Sequence, residues 1–154
     1  MEIADLIDPS RILPRVRASS KKQVLQEIAA HAGRCVGRDD KEILDTLLER
    51  ERLGTTGIGH GIAVPHGKLP DLDRIYGFFA RLEMPVNFDA IDGMPVDLVF
   101  MLLAPVAAGP DHLKALARVS RLLRNRATCE KLRGTDQTEA LYALLTEAAA
   151  PHAA

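Results

Sequence analysis

Apolar residues recur every three or four positions in two stretches of the first third of the chain, which is the spacing of helices with one buried face. The first stretch follows Ser20, which forms a capping-box pattern with Gln23, and the second follows Asp39, which forms one with Glu42. We expect the second helix to end before Gly54. The inward positions are Val24, Leu25, Ile28 and Ala32 in the first helix, and Ile43, Leu44, Leu47 and Leu48 in the second.

Strands are predicted in the middle of the chain, where short runs of β-forming residues are bounded by turn residues. Residues 62–64 form one such run, which Pro65 ends, and residues 75–82 form another. Residues 96–103 are almost continuously apolar, which is typical of a strand buried on both faces.

Helical patterns return in the last third of the chain. Pro110 introduces one helix, a short helical segment covers residues 129–133, and a last helix covers residues 137–147. Helices alternating with strands predict a single α/β domain over residues 1–147, with a central mixed β-sheet flanked by helices on both faces. An Ala-rich tail at residues 148–154 is predicted to be flexible. The inward positions expected are Leu113, Leu116, Ala117 and Leu123 in the helix after Pro110, and Leu141, Leu144 and Leu145 in the last helix.

Composition and charge narrow the class of protein. The 154 residues carry a formal net charge of -1, so the domain lacks the overall basic character of a nucleic-acid-binding protein. Cys35 and Cys129 form no CxxC pair and are typical of a reducing cytosol. The longest uncharged stretch, residues 98–110, is well short of the ~20 residues of a membrane-spanning helix. These features predict a cytoplasmic protein that neither binds nucleic acid nor inserts into a membrane.

The densest group of candidate functional residues lies between Arg50 and Lys68, with the sequence RERLGTTGIGHGIAVPHGK. Its glycines allow several backbone N–H groups to point at one anion, and its two threonines and two histidines add polar side chains, so the segment favours a phosphate pocket. It contains neither a Walker A loop nor a dinucleotide-binding pattern. A protein-bound phosphoryl group is therefore favoured over a nucleotide, and no cofactor is expected.

Two histidines are the candidates for phosphoryl chemistry. Pro65 restricts the backbone before His66, and a neutral imidazole nitrogen is a nucleophile near pH 7. His112 follows Pro110 in the first turn of a predicted helix, where the helix dipole lowers the pKa of a histidine. From position alone, a plain loop histidine and a plain surface histidine stay open as interpretations. A metal site built from His60, His66 and His112 is not predicted, because their spacing matches no compact ligand motif.

The chain resembles the mannitol/fructose-type enzyme IIA domain of the bacterial phosphoenolpyruvate-dependent phosphotransferase system, and most closely its nitrogen-regulatory branch. The resemblance rests on the segment just described, on FDAIDGMPVDLVFMLLAP at residues 88–105 and on DHLKAL at residues 111–116. It implies a phosphoryl carrier in which His66 accepts the group from an HPr-like phosphohistidine protein. It also implies that His112 and Arg50 act as catalytic residues in the same pocket, without a metal.

The resemblance further implies that the glycine-rich loop binds the phosphoryl group. The residues concerned are Thr55, Thr56, Gly57 and His60. Two of them depart from the usual pattern of the family: Thr55 stands where serine is common, and His60 stands where asparagine is common. The hydroxyl is kept at position 55, whereas the role of His60 is left open.

The same resemblance implies the partners. Besides the HPr-like donor, it implies regulatory target proteins as partners, with kinases and transporters as candidate classes. The oligomeric state is left open. Apolar Ile58, Ile62 and Leu69 are candidates for docking a partner, and each of them could equally belong to the core. Three alternatives stay open: a sugar-specific enzyme IIA that passes phosphate to an enzyme IIB, a metal-dependent hydrolase, and a binding module whose histidine no longer accepts phosphate.

Overall fold

A six-stranded mixed β-sheet runs through the centre of the computed structural model, which describes residues 1–147. The strands are β1 (Ile12–Val16), β2 (Gly57–Gly59), β3 (Ile62–Ala63), β4 (His66–Leu69), β5 (Tyr76–Val86) and β6 (Val96–Pro105). They pair in the order β1-β5-β6-β3-β2, and β4 also pairs with β6. Strands β5 and β6 are antiparallel, whereas β1 is parallel to β5, and both β3 and β4 are parallel to β6. The tail predicted at residues 148–154 lies outside the described residues.

Helices cover both faces of this sheet, as the sequence predicts. They are α1 (Lys21–Val36), α2 (Asp40–Arg52), α3 (Pro110–Leu123), α4 (Arg126–Arg133) and α5 (Thr138–Glu147). Side chains of α1 and α2 form one apolar core with the sheet, and side chains of α3, α4 and α5 form a second core with its other face. Strand β6 contributes to both cores, which explains its almost continuously apolar sequence.

Capping residues set the N-terminal ends of α1 and α2. Ser20 accepts a hydrogen bond from the backbone N–H of Gln23 at 3.2 Å, which confirms the predicted start of α1. Asp39 caps α2 by accepting from the N–H of Lys41 at 3.2 Å. The capping box predicted with Glu42 is wrong in its second half, because the Glu42 carboxylate pairs with the Arg38 guanidinium. An ion-paired hydrogen bond is stronger than one to a neutral amide.

The buried face of α3 differs from the predicted one. Leu113 is 67% exposed and Ala117 is also exposed, so both were wrongly assigned to the core, whereas Leu116 is half-buried and Leu123 is buried as predicted. The buried residues of the helix are His112, Ala115, Val119, Leu122 and Leu123. The inward stripe is thus centred one position earlier than the leucines indicate, and this shift directs His112 inward.

The chain around Pro65 continues the sheet instead of leaving it. Strand β3 ends at Ala63, yet pairing with β6 resumes at His66, which lies opposite Leu102. Proline has no N–H to donate, but the Pro65 carbonyl accepts a hydrogen bond from the N–H of Leu102 at 3.0 Å. The prediction that Pro65 ends the strand is therefore right for β3 only, and His66 is the first residue of β4 rather than a loop residue.

Candidate functional site

The position of His66 follows from the alternation of side chains along β4. Gly67 and Leu69 face the α1 and α2 layer, so His66 and Lys68 face the opposite way. Helix α2 crosses β4 so closely that a Cβ atom on Gly67 would lie 2.5 Å from Cγ2 of Thr46. Only glycine allows this approach, which brings the C-terminal end of α2 next to His66.

Arg50 lies one helical turn beyond Thr46 and contacts the His66 ring. The Arg50 Nε–H donates to Nε2 of His66 at 3.2 Å, and Nη1 donates to the Gly54 carbonyl at 2.8 Å. The other ring nitrogen, Nδ1, lies 3.0 Å from the Val64 carbonyl oxygen. A carbonyl only accepts and a guanidinium only donates, so we assign the ring proton to Nδ1 and a lone pair to Nε2.

His112 lies beside His66 in the first turn of α3. The two ring centroids are 5.4 Å apart, with an angle of 54° between the ring planes. Residue His112 is buried, and its Nδ1 atom has no hydrogen-bond partner within residues 1–147. Three elements distant in sequence, β4, α2 and α3, thus bring the three residues predicted as catalytic into one site.

Both imidazoles are biased toward their neutral form. Burial is the main cause that lowers the pKa of His66 below 6.5, and the Arg50 cation lowers it further, while the Val64 carbonyl and Glu51 act in the opposite direction. Burial also lowers the pKa of His112, with further contributions from His66 and Lys68. The predicted direction for His112 is confirmed, although the predicted cause was the helix dipole. Near pH 7 the site therefore presents uncharged rings next to cationic side chains.

These side chains open into a surface cleft of about 470 Å³. Its lining residues are Thr46, Glu49, Arg50, Leu53, His66, Gly67, Lys68 and His112. Sequence reasoning did not assign Lys68 to the site, although its spacing of two from His66 on a strand places both on one face. It also missed Leu53, which is 83% exposed and follows Arg50 by three residues. The cleft can accept an anion because its two basic side chains outnumber its one acidic side chain, Glu49.

The threonines and the glycine predicted to bind phosphate make other contacts. Thr55 donates its hydroxyl hydrogen to the Phe88 carbonyl at 2.6 Å. Thr56 is buried and donates both its hydroxyl and its backbone N–H to the Glu51 carboxylate. Gly57 packs against Ala90, to which a Cβ atom on the glycine would come within 3.0 Å. None of the three is among the residues described as lining the cleft, so their contact with phosphate stays a prediction.

His60 also lies away from the cleft lining, in the turn between β2 and β3. Its φ is 56°, its backbone N–H donates to Asp92 at 2.9 Å, and its carbonyl accepts from Arg133 at 2.9 Å. His60 is an exposed residue. A role for His60 in phosphate binding stays a prediction too.

Two of the three candidate docking residues belong to the core. Ile62 and Leu69 are buried in the two apolar cores on opposite faces of the sheet, so the core alternative holds for both of them. Ile58, by contrast, is exposed. Short apolar runs do not reveal which residue faces solvent, because Ile62 of β3 and Leu69 of β4 are both covered by a layer of helices.

Residues 1–147 contain no group of three or more His, Cys, Asp or Glu side chains placed to hold a metal ion. Over the same residues, none of the helices combines the length and the apolar character needed to cross a membrane.

Fold and cleft together define a small α/β protein whose site sets two neutral histidines and an arginine around a space suited to an anion. The family described as "Phosphoenolpyruvate-dependent sugar phosphotransferase system, EIIA 2" matches residues 5–148. The chain belongs to this family and is thus a component of a phosphotransferase system.

Similar proteins place the chain within the family. It is 53% identical to "Nitrogen regulatory protein" of Bradyrhizobium diazoefficiens over 94% of this chain and 95% of that one. It is 36% identical to "PTS system fructose-specific EIIA component" of Haloferax volcanii over 96% and 98% of the two chains. The crystal structure of nitrogen regulatory protein IIA-Ntr from Neisseria meningitidis matches with a TM-score of 0.88 at 33% identity, over 94% of this chain and 99% of the other.

Proposed function

We propose that this protein is a nitrogen-regulatory enzyme IIA that accepts a phosphoryl group on Nε2 of His66. The donor is the phosphohistidine of an HPr-like protein, and the phosphorylation state of His66 determines which target proteins are bound. The observation that carries the proposal is the pair of hydrogen bonds on the His66 ring. Val64 holds Nδ1–H at 3.0 Å, so the lone pair on Nε2 is left facing Arg50 and the cleft.

The transfer exchanges one nitrogen–phosphorus bond for another. The Nε2 lone pair of His66 attacks the phosphorus in line, a bond from Nε2 to phosphorus forms, and the bond from phosphorus to the donor imidazole breaks. The donor ring, which carries a proton on its other nitrogen, leaves with the electron pair of that bond and becomes neutral, while the phosphorylated His66 ring takes up the positive charge. His66 keeps its Nδ1 proton on the Val64 carbonyl throughout, so no net proton transfer is needed. Catalysis then consists of positioning and charge stabilisation.

Arg50, Lys68 and His112 supply that stabilisation. When Nε2 of His66 is used by the new bond, the Arg50 Nε–H is free to donate to a phosphoryl oxygen instead. An N–H buried without an acceptor is rarer than a buried lone pair without a donor, so we assign the proton of neutral His112 to Nε2, away from the unpartnered Nδ1. This N–H is a second donor to phosphoryl oxygen, and the Lys68 ammonium adds positive charge.

The 53% identical relative named as a nitrogen regulatory protein supports the regulatory role. A second candidate is a sugar-type enzyme IIA that passes the phosphoryl group to an enzyme IIB, and the 36% identical fructose-specific relative favours it. Kinases and transporters are the proposed target classes in the regulatory case. A cytoplasmic location is part of both proposals.

Intact mass measurement tests the acceptor. The protein is incubated with phosphoenolpyruvate, enzyme I and the HPr-like donor, and control samples omit the donor. We expect a gain of one phosphoryl group that depends on the donor, is lost in acid and is absent in His66→Ala. His31→Ala, a histidine variant remote from the cleft, should gain the group normally. Equal gain by His66→Ala would overturn the assignment, and no gain by the wild-type protein with an active donor would favour a binding module.

A further inference from the structure

A second polar cluster lies behind the cleft, between α1, the end of α2 and the loop that follows α2. The Glu51 side chain is only 5% exposed, and its Oε2 lies 2.6 Å from the Lys21 Nζ. The hydroxyl and the backbone N–H of Thr56 both donate to the same carboxylate. We call these three residues, Lys21, Glu51 and Thr56, the Glu51 cluster.

The burial of the Glu51 carboxylate at the end of a helix is unfavourable in free energy by itself, which indicates a specific role. A carboxylate in the last turn of a helix opposes the helix dipole, and burying it costs free energy unless it is paired and hydrogen-bonded. Lys21 supplies the charge and Thr56 supplies two donors, so both costs are offset. Because the partners come from different segments, the cluster joins the start of α1, the end of α2 and the loop at residues 53–56.

This junction continues directly into the catalytic cleft. Glu51 is adjacent to Arg50 in the last turn of α2, and Arg50 is held by the Gly54 carbonyl at 2.8 Å as well as by His66. Gly54 belongs to the loop that Thr56 ties to Glu51. The guanidinium is therefore fixed between the acceptor nitrogen and a loop whose position depends on the Glu51 carboxylate.

We propose that Glu51 is a positioning residue for phosphoryl transfer, acting through Lys21 and Thr56 to hold Arg50 against Nε2 of His66. This inference rests on the proposed function, since it assigns a role in the same transfer. Thr56 then serves the reaction through Glu51 rather than by touching phosphate.

Single-turnover transfer from the phosphorylated HPr-like donor tests this role. The variants are Glu51→Gln, Lys21→Met and Thr56→Val, with Thr56→Ser as the conservative variant. At saturating donor, we expect the first three to lower the transfer rate about tenfold to 100-fold while the half-saturating donor concentration stays unchanged. Thr56→Ser, which keeps the hydroxyl, should transfer at nearly the wild-type rate. Glu42→Gln, which removes the partner of an ion pair elsewhere on α2, is the matched control and should leave the rate unchanged.

A spectroscopic measurement separates positioning from stability. The nitrogen chemical shift of His66 Nε2 in the unphosphorylated protein reports the hydrogen bond from Arg50, and it should move in Thr56→Val and Glu51→Gln but not in Glu42→Gln. Thermal unfolding gives the folded fraction of each variant. Folded Thr56→Val and Glu51→Gln proteins with a wild-type rate and a wild-type shift would overturn the proposal. If the wild-type protein accepts no phosphoryl group, the proposed function fails, whereas the chemical shifts still test whether the cluster positions Arg50.

Discussion

Replacing Gly67 by alanine should separate α2 from β4 and thereby weaken the site without removing any polar group. The new Cβ would lie 2.5 Å from Cγ2 of Thr46, whereas carbon atoms in contact are about 3.5–4.0 Å apart. The deficit is therefore about 1 Å. Thr46 cannot easily rotate away, because its side chain is β-branched and its hydroxyl donates to the Glu42 carbonyl at 2.9 Å. The end of α2 must move instead.

That movement has two measurable consequences. Overpacking of this kind costs about 1–3 kcal/mol of the free energy of unfolding, and for a domain of this size each kcal/mol lowers the Tm by about 2–4 °C. The same shift would carry the Arg50 Nε–H, now 3.2 Å from Nε2 of His66, out of hydrogen-bond range. A displacement of about 1 Å in a catalytic group can lower a rate by roughly 100-fold, so we expect a loss of that order in transfer rate.

The assay combines single-turnover phosphoryl transfer with thermal unfolding in a double-mutant cycle. Thr46→Ser removes the methyl group that the new Cβ would meet and keeps the hydroxyl bonded to Glu42, so adding it to Gly67→Ala should restore most of the rate and of the Tm. Thr46→Ser alone is the control and should transfer normally. A wild-type rate in Gly67→Ala, or a loss that Thr46→Ser does not relieve, would refute the close approach of α2 as the reason for glycine at this position.

Three further predictions concern the groups in the cleft. Arg50→Lys should slow transfer by about 100-fold or more, because lysine cannot reproduce the Nε–H directed at His66, and single-turnover kinetics would measure this; a near-normal rate would contradict it. His112→Ala should slow transfer but still gain one phosphoryl group in intact mass, and complete loss of the gain would be inconsistent with a supporting role. The pKa values of His66 and His112 are lower in the folded protein than in the unfolded chain, so below about pH 6.5 the unfolded chain binds more protons than the folded protein does. The free energy of unfolding should therefore decrease as the pH falls from about 6.5 toward the lower folded-state pKa values. Chemical denaturation at a series of pH values would measure this decrease, and the loss should be smaller in His66→Ala; stability that rises with acidification would reverse the sign of the argument.

The fold class was predictable because most helices carry local signals. These signals involve residues that are near one another in the sequence. The structure confirms the cap at Ser20, the apolar stripes of α1 and α2, and the buried strand β6. Strands β1, β2 and β4 escaped prediction for local reasons. Strand β1 contains Pro14, β2 consists largely of glycine, and β4 is only four residues long after a proline. Strands β1 and β4 form because they pair with the longer strands β5 and β6, and β2 forms because it pairs with β3 at the edge of the sheet. Sequence patterns do not reveal these pairings.

By itself the sequence determined the α/β class, the family and the three side chains gathered at the site, since helix periodicity, the PHGK motif and the first turn after Pro110 are all local patterns. Only the tertiary structure decided which groups those side chains contact. The tautomer of His66 depends on the Val64 carbonyl and on Arg50, and the burial of Glu51 depends on Lys21 from another helix. The physical reason is that hydrogen bonds and desolvation depend on groups that folding brings together from β4, α2 and α3. The spacing of residues along the chain does not determine the distances between these groups.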